Sequence, residues 1–139
     1  MATKVGISNG ALVGVEAPGL LAKVTGVDFT TSGDKQLLVV AAGETVLVTG
    51  YAALVTSATA ATGDSSGISI GSNSSTYNDI FGYLSGFSSL TAANVFIADA
   101  GSSSAKVAAV GPGNIKMQID TPDSGTTLVM TIYLFGYKI

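Results

Sequence analysis

From residue 22 onward the chain is written in short runs of apolar residues, alternating or continuous, each closed by glycine, serine, proline or aspartate. That texture predicts strands and turns. Residues 22–31 (AKVTGVDFTT) read as a strand stopped by SGD, and KQLLVVA (35–41) as a β-branched run. This run turns at Ala42, Gly43 and Glu44 into TVLVTGYAALVTS (45–57), giving a hairpin. Gly50, inside the second arm, predicts a bulge or a close backbone approach. ISIGS, VFIAD, AKVAAV, NIKMQID and TTLVMTIYLFGYKI supply the remaining strands, separated by strong punctuators such as AGSSS, GPG and TPDSG. NSSTYNDIFGYLSGFSSLTAAN (73–94) reads as a long loop holding one helical turn or a short strand. Eight or nine strands with no convincing helix predict an all-β, two-sheet antiparallel β-sandwich, and the length suits an eight-stranded jelly roll.

The last strand poses the main problem. Pleating puts Leu128, Met130, Ile132 and Leu134 on one face and Val129, Tyr133, Phe135 and Tyr137 on the other, so neither face is polar. The same two-sidedness appears in Leu37–Val40, which has no polar alternate. It recurs in 45–57, where strict alternation puts Val46 and Val48 on one face and Leu47, Tyr51 and Val55 on the other. A sandwich buries one face of each sheet against the other and has no helices for the outer faces. Burying about 100–150 Å² of apolar side chain stabilises by about 2.5–4 kcal/mol, so a few such residues favour an oligomer. Tyr133, Phe135 and Tyr137 are therefore expected in a homo-oligomeric subunit interface, the competing arrangement being an arm folded over the sheet within one chain.

Residues 1–22 carry five of the glycines and prolines but no sustained period, and are expected to form an extended N-terminal arm ahead of a sandwich domain spanning 23–139. The arm is too apolar for a solvated tail. Val5, Ile7, Leu12, Val13 and Leu20 are its candidate contact strip for a larger partner. Asn9 and Glu16 interrupt the apolar run, so the stretch does not read as a signal peptide. The two nineteen-residue uncharged stretches, Thr45 to Gly63 and Ile80 to Ala98, are too rich in Thr, Ser, Gly and Ala for a membrane helix. An eight-stranded outer-membrane barrel would explain apolar outer faces but expects polar lumen positions that these strands do not supply.

Composition narrows the function classes. Charged residues are 11% of the 139-residue chain, against about 25% in typical soluble domains. The surface is consequently neutral and small-residue, with little desolvation cost on contact. The six cations are lysines scattered singly through a chain of net charge -3, which argues against nucleic acid as a partner. There is no cysteine and no histidine, so thiol chemistry and transition-metal sites are not expected. GISIG, Gly67 to Gly71, matches the G-x-S-x-G letters. Ser69 nevertheless sits in an alternating strand with no helix after it and no base to activate it, so it reads as a serine on a strand's polar face. The acidic residues occur singly and form no calcium loop; Asn78 and Asp79 are expected to bond nearby backbone amides. No enzyme and no cofactor are expected. Asn73 opens an N-x-S sequon, which matters only on a secretory path. Tyr77, Phe81, Tyr83 and Phe87 in the long loop are candidate contact residues, as apolar pins, a subunit contact or a sugar-stacking platform.

TTSGDKQLLVVAAGETVLVTG, SIGSNSSTYNDI, LTAAN and the C-terminal TTLVMTIYLFGYKI resemble small jelly-roll or β-sandwich structural proteins of tailed-phage virions. The shared features are a Thr/Gly-Asp opening turn, a hairpin with a V-x-A-G corner and a last strand ending in an aromatic-rich G-Y. The likeness covers about residues 25–139 and lies in the way such sandwiches turn their corners. It implies a capsid decoration (cement) protein: a homotrimer on the outer surface of the phage head, made in the host cytoplasm, partnered by itself and by the major capsid protein and by neither nucleic acid nor membrane. The alternative within the same group is a receptor- or carbohydrate-binding module of a fibre or tail.

Overall fold

The computed structural model describes residues 6–8, 11–13, 19–84, 86–99 and 108–139. Two short strands, β1 (Gly6–Ser8) and β2 (Ala11–Val13), pair antiparallel with Ile7 opposite Leu12. The rest is β3 (Gly19–Asp28), β4 (Gly33–Val40), β5 (Val46–Thr59), β6 (Ser66–Gly71), β7 (Phe81–Leu84), β8 (Phe96–Asp99), β9 (Ala108–Val110), β10 (Gly113–Thr121) and β11 (Thr127–Lys138). The long connection after β6 contains β7 and one 3₁₀ turn, Phe87–Ser89. Among the described residues there is no α-helix. β3 begins at Gly19, so Leu20, Leu21 and Ala22 already lie in the sheet, ahead of the boundary that composition suggested.

Two antiparallel sheets result, one ordered β3-β11-β5-β8 and the other β4-β10-β6-β7. β9 pairs with residues 46–48 of β5 and β8 with residues 51–54, so the two share one strand position along β5. The pairings therefore run first with last: β3 with β11, β4 with β10, β5 with β8 and β9, and β6 with β7. From β3 to β11 the described strands form one long antiparallel hairpin, its tip the connection between β6 and β7, rolled so that successive pairs fall alternately into the two sheets. This is the jelly roll the sequence predicts.

Between the sheets lies a continuous apolar core. β11 contributes Leu128, Met130, Ile132 and Leu134, and β10 contributes Ile115, Met117 and Ile119, all essentially inaccessible. Four rings fill the interior: Phe29 stacks on Phe87 (5.5 Å), and Tyr51 stacks on Phe87 (6.4 Å) and meets Phe81 edge-on (5.3 Å). An interior packed this way is a solid core and not the polar lumen of a membrane barrel.

Bulges change which residues reach that core. Opposite Phe135 and Gly136, β5 carries one extra residue, because Phe135 pairs with Gly50 and Gly136 with Val48. The predicted irregularity at Gly50 is present, and it reverses the face of everything after it. Tyr51 and Val55 join Val46 and Val48 inside, while Leu47, Ala52 and Leu54 are left half-buried outside. Strict alternation had placed Tyr51 and Val55 with Leu47, and the bulge is the reason it fails. A second bulge in β4, where Ile115 pairs with Leu38 and Lys116 with Gln36, lets Leu37 and Leu38 both pack inward. Val40 follows them in, and only Val39, 64% exposed, faces out. The Leu37–Val40 run thus leaves little apolar outer surface to cover.

Aspartates lace the connections at one corner. The Asp123 carboxylate is buried and accepts the Thr62, Gly63 and Gly125 amides at 2.8–3.2 Å, while its own amide donates to the Phe29 carbonyl. Asp64 accepts from the Ser124 hydroxyl and amide and from the Thr62 hydroxyl, which holds its carboxyl down to about 2. For Asp123, burial opposes ionisation, but the three amides together outweigh it and its pKa lies below the ordinary value. Asp28 is lowered by the Thr30 hydroxyl and amide.

Groups whose folded pKa is depressed contribute stability above their unfolded pKa and lose it as pH falls through the folded value. The thermal midpoint should accordingly be flat above about pH 5 and fall progressively below about pH 4. Asp123→Ala should cost about 2–4 kcal/mol at neutral pH by orphaning three amides. Asp123→Asn should be destabilising at pH 7 and less so at pH 2, because the native carboxylate loses its advantage over the amide as acid protonates it. Thermal melts at both pH values check this; an equal cost at both would rule out the charged carboxylate as the tie.

Candidate functional site

The two outer faces of the sandwich differ in chemistry. On the five-stranded sheet, Tyr133, Phe135 and Tyr137 of β11 all point outward and are half-buried. Tyr133 and Phe135 stack with ring centroids 6.4 Å apart, and the Lys23 ammonium lies 5.9 Å from the Tyr133 centroid. The register extends this strip sideways: Leu20 lies opposite Phe135, Leu47 opposite Tyr137, Leu54 opposite Thr131, and Phe96 opposite Leu54. Phe96 is 68% exposed. The second face of β11 is thus one row of an apolar outer face running from β3 to β8. Leu54 and Phe96 were not singled out in the sequence, because the bulge at Gly50 hides their side from simple alternation.

Of the proposed contact strip in the first twenty residues, Leu20 is in β3 on this same outer face. Ile7, Leu12 and Val13 lie in the β1–β2 pair, and Val5 lies outside the described residues.

The four-stranded sheet presents a polar outer face. NIKMQID alternates cleanly, sending Ile115, Met117 and Ile119 inward and Lys116, Gln118 and Asp120 outward. Lys116 pairs with Asp34 at 2.5 Å and lies over the Tyr77 ring at 5.3 Å. At the tip of the long hairpin, residues 72–79 are tied down by their own side chains. Asp79 accepts the Ser72 hydroxyl and the Ser72 and Asn73 amides at 2.6–3.1 Å, as the sequence suggested. These bonds outweigh the opposing effect of burial and lower its pKa. The Asn73 side chain donates to Thr76 and Asn78 and accepts the Asn78 amide, so the sequon's amide nitrogen is engaged within the loop. Gly71 is required beneath this knot, since a Cβ there would run into the Asp79 carboxylate and the Asn78 amide.

The four loop aromatics part company. Phe81 and Phe87 are core residues that pin the loop, Tyr77 is half-buried under Lys116, and Tyr83 stands 70% exposed. Beside Tyr83 a cavity of about 50 Å³ opens between the tip loop and the sheet, lined by Ser69, Ser75, Thr76, Asn78, Gln118 and Asp120. Ser69, the serine of GISIG, is buried in β6 and donates to the Thr76 carbonyl at 3.1 Å. It has the polar-face position expected of it, roofed by the loop, and the chain has no histidine to act as its base. Gln118 and Asp120 were missed as candidates, although the alternation of β10 was enough to put both on the outer face.

Among the described residues no group of three or more acidic side chains converges as a metal site would require, and no helix is long and apolar enough to cross a membrane. No protein-family model, no curated protein and no solved structure matches the chain.

Proposed function

We propose that the protein is a structural assembly module, a capsid decoration (cement) protein that self-associates and binds the outside of an assembled phage head. The observation that carries the assembly role is the apolar outer face of the five-stranded sheet, with the stacked Tyr133–Phe135 pair at its centre and Phe96 at its margin. Contiguous apolar surface of this kind marks a partner site. A second copy of the chain is the occupant that fits best. The face carries one cation near its centre, Lys23, already shared with the Tyr133 ring, so like faces meet with little charge repulsion. Aromatic rings also supply large contact area at small entropic cost. The step from self-association to a phage head rests on the resemblance in the strand and corner motifs, which also suggests a trimer.

The mechanism is mass action. A module that binds the assembled shell and not its free subunits shifts the shell toward the intact state by its binding free energy, and an oligomer multiplies the attachment points. In this reading Val5, Ile7, Leu12 and Val13 face the major capsid protein.

Light scattering should give the purified protein a mass that is a multiple of 13.8 kDa. Tyr133→Ser with Phe135→Ser should reduce it to a single chain of unchanged circular dichroism. An unchanged oligomer mass in the double variant would exclude this face as the interface. Removing residues 2–18 should leave the oligomer intact yet abolish co-sedimentation with assembled tailed-phage heads. Retained co-sedimentation would show that the first strands are not the capsid contact.

A further inference from the structure

We propose that the cleft under Tyr83, on the polar outer face of the four-stranded sheet, is a binding site for a neutral pyranose, with Tyr83 as the stacking platform and Asp120 and Gln118 as the hydroxyl-reading groups. The inference goes beyond the assembly role and does not depend on it, because the two sites occupy opposite sheets of the sandwich.

The backbone places Tyr83 deliberately. In the β6–β7 pair, Ile68 lies opposite Leu84 and Ile70 opposite Phe81, so Gly82 and Tyr83 together oppose Ser69. That is a bulge on an edge strand, the device by which sheets re-aim one side chain beside a functional site. Tyr83 itself adopts φ +33°, a left-handed conformation that a bulky residue rarely takes without compensation. Its ring receives no core packing in return and stands 70% exposed. A strained aromatic held out into solvent over a polar cleft calls for a ligand that completes its packing.

The floor of the cleft is equally particular. Asp120 sits directly against Gly67, where a Cβ would come within 2.6 Å of the Asp120 Cβ and 2.8 Å of its Oδ2. Gly67 has φ +66°, so the position is closed to other residues twice over. Gln118 donates to Asp120 Oδ1 at 3.2 Å and fixes the carboxylate's orientation. The far wall is the tip loop, already pre-organised by the Asn73–Thr76–Asn78 bonds, so a ligand would not have to order it.

Ligand chemistry follows from that wall and floor. A carboxylate accepts two hydroxyl protons from adjacent carbons, an amide both donates and accepts, and an exposed phenol ring covers the C–H face of a sugar. The only carboxylate in the cleft's lining is Asp120 and no cation lines it, which disfavours phosphates, nucleotides and acidic sugars. The cleft is also too small for more than the edge of one ring, which excludes an extended peptide strand.

The test is NMR titration of the full chain, ¹⁵N-labelled and ¹³C-labelled on tyrosine rings, with methyl glycosides of glucose, galactose, mannose and N-acetylglucosamine, and with sialic acid as the anionic comparison. At least one neutral glycoside should shift the Tyr83 ring and the Gln118 and Asp120 amide signals together. Tyr83→Ala and Asp120→Asn should each raise its Kd about tenfold or more, while Tyr83→Phe, which keeps the ring, stays close to the native value. Tyr83 lies outside the core, so its variants keep their fold, and the dispersion of the same spectra verifies this. No shift with any neutral glycoside, shifts with sialic acid alone, or native affinity in Tyr83→Ala would each overturn the proposal. Repeating the titration on the Tyr133→Ser, Phe135→Ser protein separates the two sites: unchanged affinity is expected, and a loss would mean the cleft depends on assembly.

Discussion

Everything in this sandwich depends on the place of β11 between β3 and β5. The last strand pairs on one side with the first strand of the sandwich and on the other with the longest. It thereby closes the rolled hairpin and sets the register of the whole sheet. Its inner row, Leu128, Met130, Ile132 and Leu134, is buried to within 1%. A slip of one residue would exchange that row for Val129, Thr131, Tyr133 and Phe135. At about 1.5–3 kcal/mol for each apolar side chain withdrawn from water, and with rings too large for the space between the sheets, the core cannot tolerate the exchange. The same register fixes the outer strip: aromatic residues face outward because the inner positions are filled by residues that fit.

Much of this was legible in the sequence, and the parts that were not have a common cause. Strand texture and turn punctuation gave the all-β class, and β11 alternates through its full length, so both of its faces could be assigned in advance. β5 and β4 could not be read that way, because each carries an extra residue. Past Gly50 the inside and outside of β5 exchange, taking Tyr51 into the aromatic core and putting Leu54 on the outer face. Glycine signals that a bulge is present, but whether one residue or none is inserted is settled by the partner strand, which lies 85 residues away in the pairing of Gly50 with Phe135. The loop aromatics were ambiguous for a different reason. Phe81, Tyr83 and Phe87 are alike in local sequence, and only the roll of the hairpin decides that two of them meet Tyr51 while the third does not.

The fold alone assigns no activity, since jelly rolls host many. The assembly proposal rests instead on the contrast between its outer faces. Asp34, Lys116 and Asp120 lie on the four-stranded sheet's outer face. The outer face of the opposite sheet is built round the half-buried Tyr133, Phe135 and Tyr137 and the exposed Phe96, with Lys23 over the Tyr133 ring and Asp28 opposite Val129 as its charges on β3. A sandwich so divided can pack one side against other protein and keep the other in water.

That division also explains why the polar loop at the hairpin tip is tied so thoroughly to itself. The tip is the point farthest along the chain from the closing pair of β3 and β11, so it gains least from their cooperativity. Its order must come from local bonds, and Asp79, Asn73 and Gly71 provide them in a run of nine residues. A loop needed only to connect β6 to β7 could be shorter, because two antiparallel neighbours can be joined by a two-residue turn. The extra residues form a wall over Ser69 and, with the bulge at Tyr83, a cleft. The local stabilisation is therefore spent on a surface feature that the jelly roll itself does not require.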